Sequence, residues 1–174
     1  MIDSLGLWQL SGFAITSFLG TILHFLYEWT SESVWIAPFS GVNESTWEHM
    51  KLLFWPMLIY GIVQWLFFKE YKGFWCTKLR GTFVGLSLIP TIFYTYNGVI
   101  DKSPDWVNIA IFFVSAAAAY IIEYRSFKYK KHGCKHPKMS FVILCVIAFL
   151  FILFTFATPH LGIFEDPITK AYGI

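Results

Sequence analysis

The sequence predicts an all-α integral membrane protein, a bundle of about five transmembrane helices forming a single domain over residues 1–174. Three observations predict it. Hydrophobic residues make up 56% of the chain and charged residues 14%, against roughly 45–50% and about a quarter in soluble domains. The mean hydropathy is +0.56. The apolar residues fall into five runs, each near the ~20 residues that a helix needs to cross a bilayer. An aromatic content of 21%, with 8 Trp and 19 Phe, supplies the rings found at membrane interfaces.

The first run extends from about Leu7 to Trp29. It follows Met1-Ile2-Asp3 with no basic segment before it and no small-residue cleavage site after it, so it reads as a retained helix and not a signal peptide. The second helix is expected over 46–68. Ser45, three residues ahead of Glu48, has the form of a capping box, and Asn43 is an alternative cap. The third helix is expected over 74–100, the fourth over 106–124 and the fifth over 139–158. Pro56 and Pro90 fall inside the second and third, where kinks are expected. Gly81 and Gly85 form a small-xxx-small pair and Ala116 to Ala119 a smooth patch, both suited to close helix packing.

Charge sets the orientation. Lys69, Lys72, Lys78 and Arg80 fall in the connection between helices two and three. Arg125, Lys128, Lys130, Lys131, Lys135 and Lys138 fall between four and five. On the alternate face Lys51 and Lys102 are set against Glu32, Glu44, Glu48, Asp101 and Asp105. The positive-inside rule then places the N-terminus inside and the C-terminus outside. The basic connections suit anionic lipid headgroups. A net charge of +2 gives no footing for nucleic-acid binding. Glu123 is expected to pair with Arg125 or Lys128, and the tract His132-Gly133-Cys134-Lys135-His136 reads as loop because its basic setting repels cations. Three cysteines without paired spacing predict no disulfide framework. Nothing in the chain sets an oligomeric state.

This topology gathers the chemistry-bearing residues at the outer face. His24 and Glu28, four apart near the end of helix one, share a helical face. Ionisable residues at that depth mark functional sites. Asn43, Glu44, Glu48 and His49 crowd the start of helix two, where a plain helix cap accounts for Asn43 and Ser45 but not for the rest. His160 follows Pro159 at the exit of helix five, and the tail beyond it can fold back as a lid. Zinc takes imidazole nitrogen and carboxylate oxygen. The expected ligands of a divalent metal such as zinc are His24, His160 and one of Glu28, Glu48 or His49. Glu28 or Glu48 would handle protons and Asn43 would orient. Asn97, behind Tyr94 and Tyr96, is a candidate for the rim.

The run His24 to Trp29, the stretch from Phe39 to Pro56 (FSGVNESTWEHMKLLFWP) and the end Pro159-His160…Phe164-Glu165-Asp166-Pro167…Tyr172-Gly173-Ile174 resemble an uncharacterised family of small prokaryotic multi-pass membrane proteins of unknown function. That resemblance covers nearly the whole chain, agrees with five helices and implies a prokaryotic cell membrane. It implies no activity. A narrower similarity, carried by His24, Glu28 and Glu48 eight residues before Pro56, is to the sterol isomerase and sigma-2 receptor superfamily. It implies that these three residues act on or bind a sterol-like ligand.

The expected function is a membrane-embedded enzyme with a His/carboxylate site at the extracytoplasmic face, acting on a lipid-like or amphiphilic substrate. The alternative is a non-enzymatic membrane protein that binds or transports a cation or small molecule. Membrane lipids are the partners either reading requires.

Overall fold

The computed structural model describes residues 4–100, 104–129, 134 and 136–174. Asp101, Lys102, Lys130, Lys131, His132, Gly133 and Lys135 lie outside the described residues, as does the side chain of Asp105. Five helices carry the chain: α1 Ser4–Trp29, α2 Thr46–Phe67, α3 Phe74–Ile100, α4 Asp105–Tyr129 and α5 Pro137–Phe156. Every one of them is long and apolar enough to cross a membrane. The chain is a multi-pass integral membrane protein. Beyond α5 the tail forms a 3-10 turn at Gly162–Phe164 and a single antiparallel bridge between Glu165 and Tyr172.

The helices pack in the manner of lipid-soluble ones. Large apolar side chains such as Phe18, Phe83, Ile109, Val142 and Phe149 stay on the outside, where hydrocarbon solvates them. The buried face of α1 is instead Gln9, Gly12, Thr16, Ser17 and Gly20, a stripe at helical spacing made wholly of small or polar residues. It admits close approach: a Cβ at Gly12 would fall 2.6 Å from the Tyr60 ring, and one at Gly20 2.5 Å from the Phe112 ring. Helix α2 is the centre of the bundle, packing on α1, α3, α4, α5 and the 3-10 turn. Its Leu53, Phe54, Pro56 and Met57 are fully buried. Gly81 and Gly85 of α3 meet Ala119 of α4 directly.

Three departures from the sequence expectation matter. Helix α4 runs to Tyr129 rather than 124, because a helix at the interface needs no apolar residues to continue; Lys128 there donates to the Tyr124 hydroxyl at 2.8 Å. Lys78 is not a loop charge. It lies within α3 and pairs at 2.6 Å with Glu123, so Glu123 does not pair with Arg125 or Lys128. A disulfide joins Cys76 to Cys134 with Cα atoms 6.1 Å apart, within the usual range. The fold brings the start of α3 beside the α4–α5 connection across 58 residues of sequence, which no spacing pattern reveals.

Candidate functional site

The site forms where the end of α1 meets the connection into α2. That connection is clamped to the helix it leaves. The Ser40 hydroxyl donates to the Leu23 carbonyl and accepts from the Tyr27 amide at 3.0 Å, and Gly41 N–H also donates to the Leu23 carbonyl. The last turn of α1 is thereby fixed just where it presents His24. From the other side, α2 holds the same connection with one buried face. Lys51 donates to the Ala37 carbonyl at 2.8 Å, Trp55 to the Pro38 carbonyl at 2.9 Å, and Glu48 accepts from Val42 N–H at 3.0 Å.

Ser45 is the N-cap of α2, accepting from Glu48 N–H at 3.4 Å. Asn43 precedes it and accepts from Ser45 N–H at 2.9 Å in an Asx turn. Glu44, between them, is therefore off the helix, and helical-face arithmetic does not apply to it. Its carboxylate turns back between two imidazoles, Oε1 at 3.6 Å from His24 Nε2 and Oε2 at 3.6 Å from His49 Nε2. One ligand atom from each of the three residues lies within 4.8 Å of the others. Two ligands on a tetrahedral ion at 2.0–2.1 Å would stand about 3.3 Å apart; the two 3.6 Å gaps, each to a different Glu44 oxygen, are near that value, and the full set would draw together by up to about 1.5 Å on an ion.

The orientation of His49 suits such a role. Its Nδ1 is 3.0 Å from the Ser45 carbonyl, which can only accept, so Nδ1 carries the proton and the Nε2 lone pair faces Glu44. Metal-ligating imidazoles use this same arrangement to fix their tautomer. The side chains of His24, His49 and Glu44 are 30%, 18% and 40% exposed, so the cluster sits at a boundary and not in the core. Beside it opens a small, partly open cleft. Glu44, Thr46 and His49 form its polar edge, and Ile89 and Phe93 of α3 with Asn108, Ile111 and Phe112 of α4 its mostly apolar walls.

The other residues singled out from sequence lie elsewhere. Glu48 is buried in a 2.5 Å ion pair with Lys51, which anchors the connection; a closed pair of that kind is a positioning device. Glu28 is exposed. Asn43 donates to the Gly173 carbonyl at 3.2 Å and so ties down the tail. His160 is exposed and packs at a tilt against Tyr172, with ring centroids 4.6 Å apart, outside the three-residue cluster. Asn97 donates to the Phe93 carbonyl within α3. Glu44 is not among the ligands expected from sequence, where it is one of several polar residues crowding the start of α2. The cap at Ser45 was the signal that sets it apart.

The tail does fold back. Phe164 is buried against Trp47, their centroids 4.7 Å apart, and Asp166 accepts from Ile168 N–H and the Thr169 hydroxyl. The Lys170 ammonium and the Tyr172 hydroxyl, 3.1 and 3.0 Å away, hold the Glu165 carboxyl below its usual range.

A family model described as a family of unknown function, DUF6512, matches residues 1–174, and the chain belongs to that family. No curated protein and no solved structure matches it.

Proposed function

We propose that this DUF6512 member is a membrane-embedded, metal-dependent enzyme acting on an amphiphilic substrate, with His24, Glu44 and His49 as the ligands of one divalent ion such as zinc. A single observation carries the reading: two imidazoles and a carboxylate converge at ligand-like spacing on the edge of an apolar cleft. Three protein ligands are the number found in catalytic zinc sites, which keep a further position for water or substrate. An ion so held supplies Lewis acidity and an activated water. The cleft walls would take the apolar chain and leave the polar group at Glu44 and His49. Asn108 would help orient it. By the positive-inside reading this end faces away from the cytoplasm. Glu48 and Asn43 act at one remove, by holding the connection that delivers Glu44.

Zinc titrated into purified protein should bind at one ion per chain. His24→Ala, Glu44→Gln and His49→Ala should each weaken binding at least tenfold, with His160→Ala and Glu28→Ala unchanged. Membrane lipid incubated with loaded protein should yield a product absent from the His49→Ala sample. Protein that binds no metal, or binds it through His160, overturns the assignment. Tight binding with no turnover of any lipid leaves the cluster a cation-binding site and overturns the enzymatic part.

A further inference from the structure

In the basic half of the bundle lies a second ionic cluster that has no part in the His24–Glu44–His49 site. The side chains of Lys78 in α3 and Glu123 in α4 are 2% and 0% exposed. Lys78 Nζ stands 2.6 Å from Glu123 Oε2 and 3.4 Å from Gln64 Oε1 of α2. It also lies over the rings of Tyr60 and Tyr120, 5.8 and 5.3 Å from their centroids. Three helices enclose one ammonium.

The neighbouring backbone leaves room for this pair. A Cβ at Gly81 would come within 2.8 Å of Glu123 Oε1, and one at Gly61 within 2.9 Å of Lys78 Cε. Stability alone does not call for such a cluster, since well-packed apolar residues in place of a buried ion pair are often neutral or stabilising. Its hydrogen bonding is also incomplete. Glu123 Oε1, an acceptor, and Gln64 Nε2, a donor, are both buried without a partner among the described residues. Both belong to groups that touch the same Nζ through their other atom. Buried water ordinarily bridges such complementary atoms, and hydrated ionisable groups inside a membrane mark proton and ion sites.

We propose that Glu123, Lys78 and Gln64 form a hydrated proton-exchange site, in which internal water bridges Glu123 Oε1 to Gln64 Nε2 and delivers a proton to that carboxyl oxygen. A hydronium proton passes through the bridging water to Oε1, forming the O–H bond there and leaving water behind. Oε2 keeps its bond from Lys78, no N–H bond breaks, and the cluster's charge rises from zero to +1. The other titratable groups facing Glu123 are Lys78 of α3, Tyr60 of α2 and Tyr120 of α4. Both phenols are engaged, Tyr60 with the Trp8 carbonyl at 2.6 Å and Tyr120 with Thr16 at 2.7 Å, so neither competes for the proton. Lys78 is four residues from the start of α3, about 6 Å along the axis.

Infrared difference spectra of the full chain in lipid nanodiscs, taken across pH in H2O and D2O, test this. The expected result is a protonated-carboxyl C=O band that grows as pH falls, shifts in D2O, disappears in Glu123→Gln and moves in Gln64→Leu. No such band while the helices persist, or one that ignores D2O or survives Glu123→Gln, overturns the proposal. A band unmoved by Gln64→Leu overturns the water bridge. Should Glu123→Gln fail to fold, Glu123→Asp retains a carboxyl and must shift the band; a band that stays in place belongs to another group and overturns the assignment.

Discussion

At one end of the bundle Glu44 stands 3.6 Å from each of two half-exposed imidazoles, without closing on either. Elsewhere Glu48 with Lys51, and Glu123 with Lys78, close to 2.5 and 2.6 Å with almost no exposure. The same residue types serve two ends. A buried pair must close because each charge has lost its water and the partner is the one opposite charge there to compensate. A half-exposed cluster is free to hold its groups apart, and spacing of that kind is what an ion needs. Separation and exposure together, more than residue type, distinguish a ligand set from an anchor.

That comparison can be broken by mutation. Removing one member of the Glu48–Lys51 pair should cause the largest loss, about 3–5 kcal/mol, because it strands a buried charge. Unfolding of Glu48→Ala in detergent should show it, and Glu48→Leu with Lys51→Met should recover part of it, the remainder being the Val42 N–H and Ala37 carbonyl left without their side-chain partners. His24→Ala should alter stability by under about 1 kcal/mol, as expected of a partly exposed group outside the core; a loss as large as that of Glu48→Ala would make the cluster an anchor too.

Next in size is Ser40→Ala, which removes the side-chain acceptor of the Tyr27 amide and one of the two donors to the Leu23 carbonyl, and should lower stability by about 1–3 kcal/mol. It should also weaken metal binding although Ser40 touches no ligand, because it frees the turn that presents His24. Ser45→Ala removes the α2 cap and should lower stability by about 1 kcal/mol, again with a secondary effect on Glu44.

The smallest effect concerns the tail. The folded-state value of Glu165 is depressed, chiefly by Lys170 and then by Tyr172, so its contribution is complete above the ordinary carboxylate value. It is lost as pH falls through the depressed one. The amide shift of Gly173, next to Tyr172, should therefore change only in acid, and Glu165→Gln should abolish that titration. A tail that loosens at neutral pH would contradict the sign.

Five crossings were legible because hydrophobicity is a property of composition and length, which the sequence carries whole. The crowding of His24, Glu44 and His49 at one end was legible as well, since it follows from topology alone. Which of the crowded residues meet was not. His160 was read as a ligand because Pro159 brings it to the same face, yet the tail turns its ring onto Tyr172. Glu48 is one of two acids expected to handle protons, yet the i,i+3 neighbour Lys51 claims it. Lys78 shows the general difficulty: a lysine near the end of an apolar run reads as a loop charge, and only the facing helix reveals Glu123 as its partner.

X-ray absorption at the zinc edge of the loaded protein tests the central claim most directly. The account predicts two imidazole nitrogens and a carboxylate oxygen at about 2.0–2.2 Å, with one imidazole lost in His49→Ala. A shell containing sulfur, a shell without imidazole, or one unaltered by His49→Ala would contradict it.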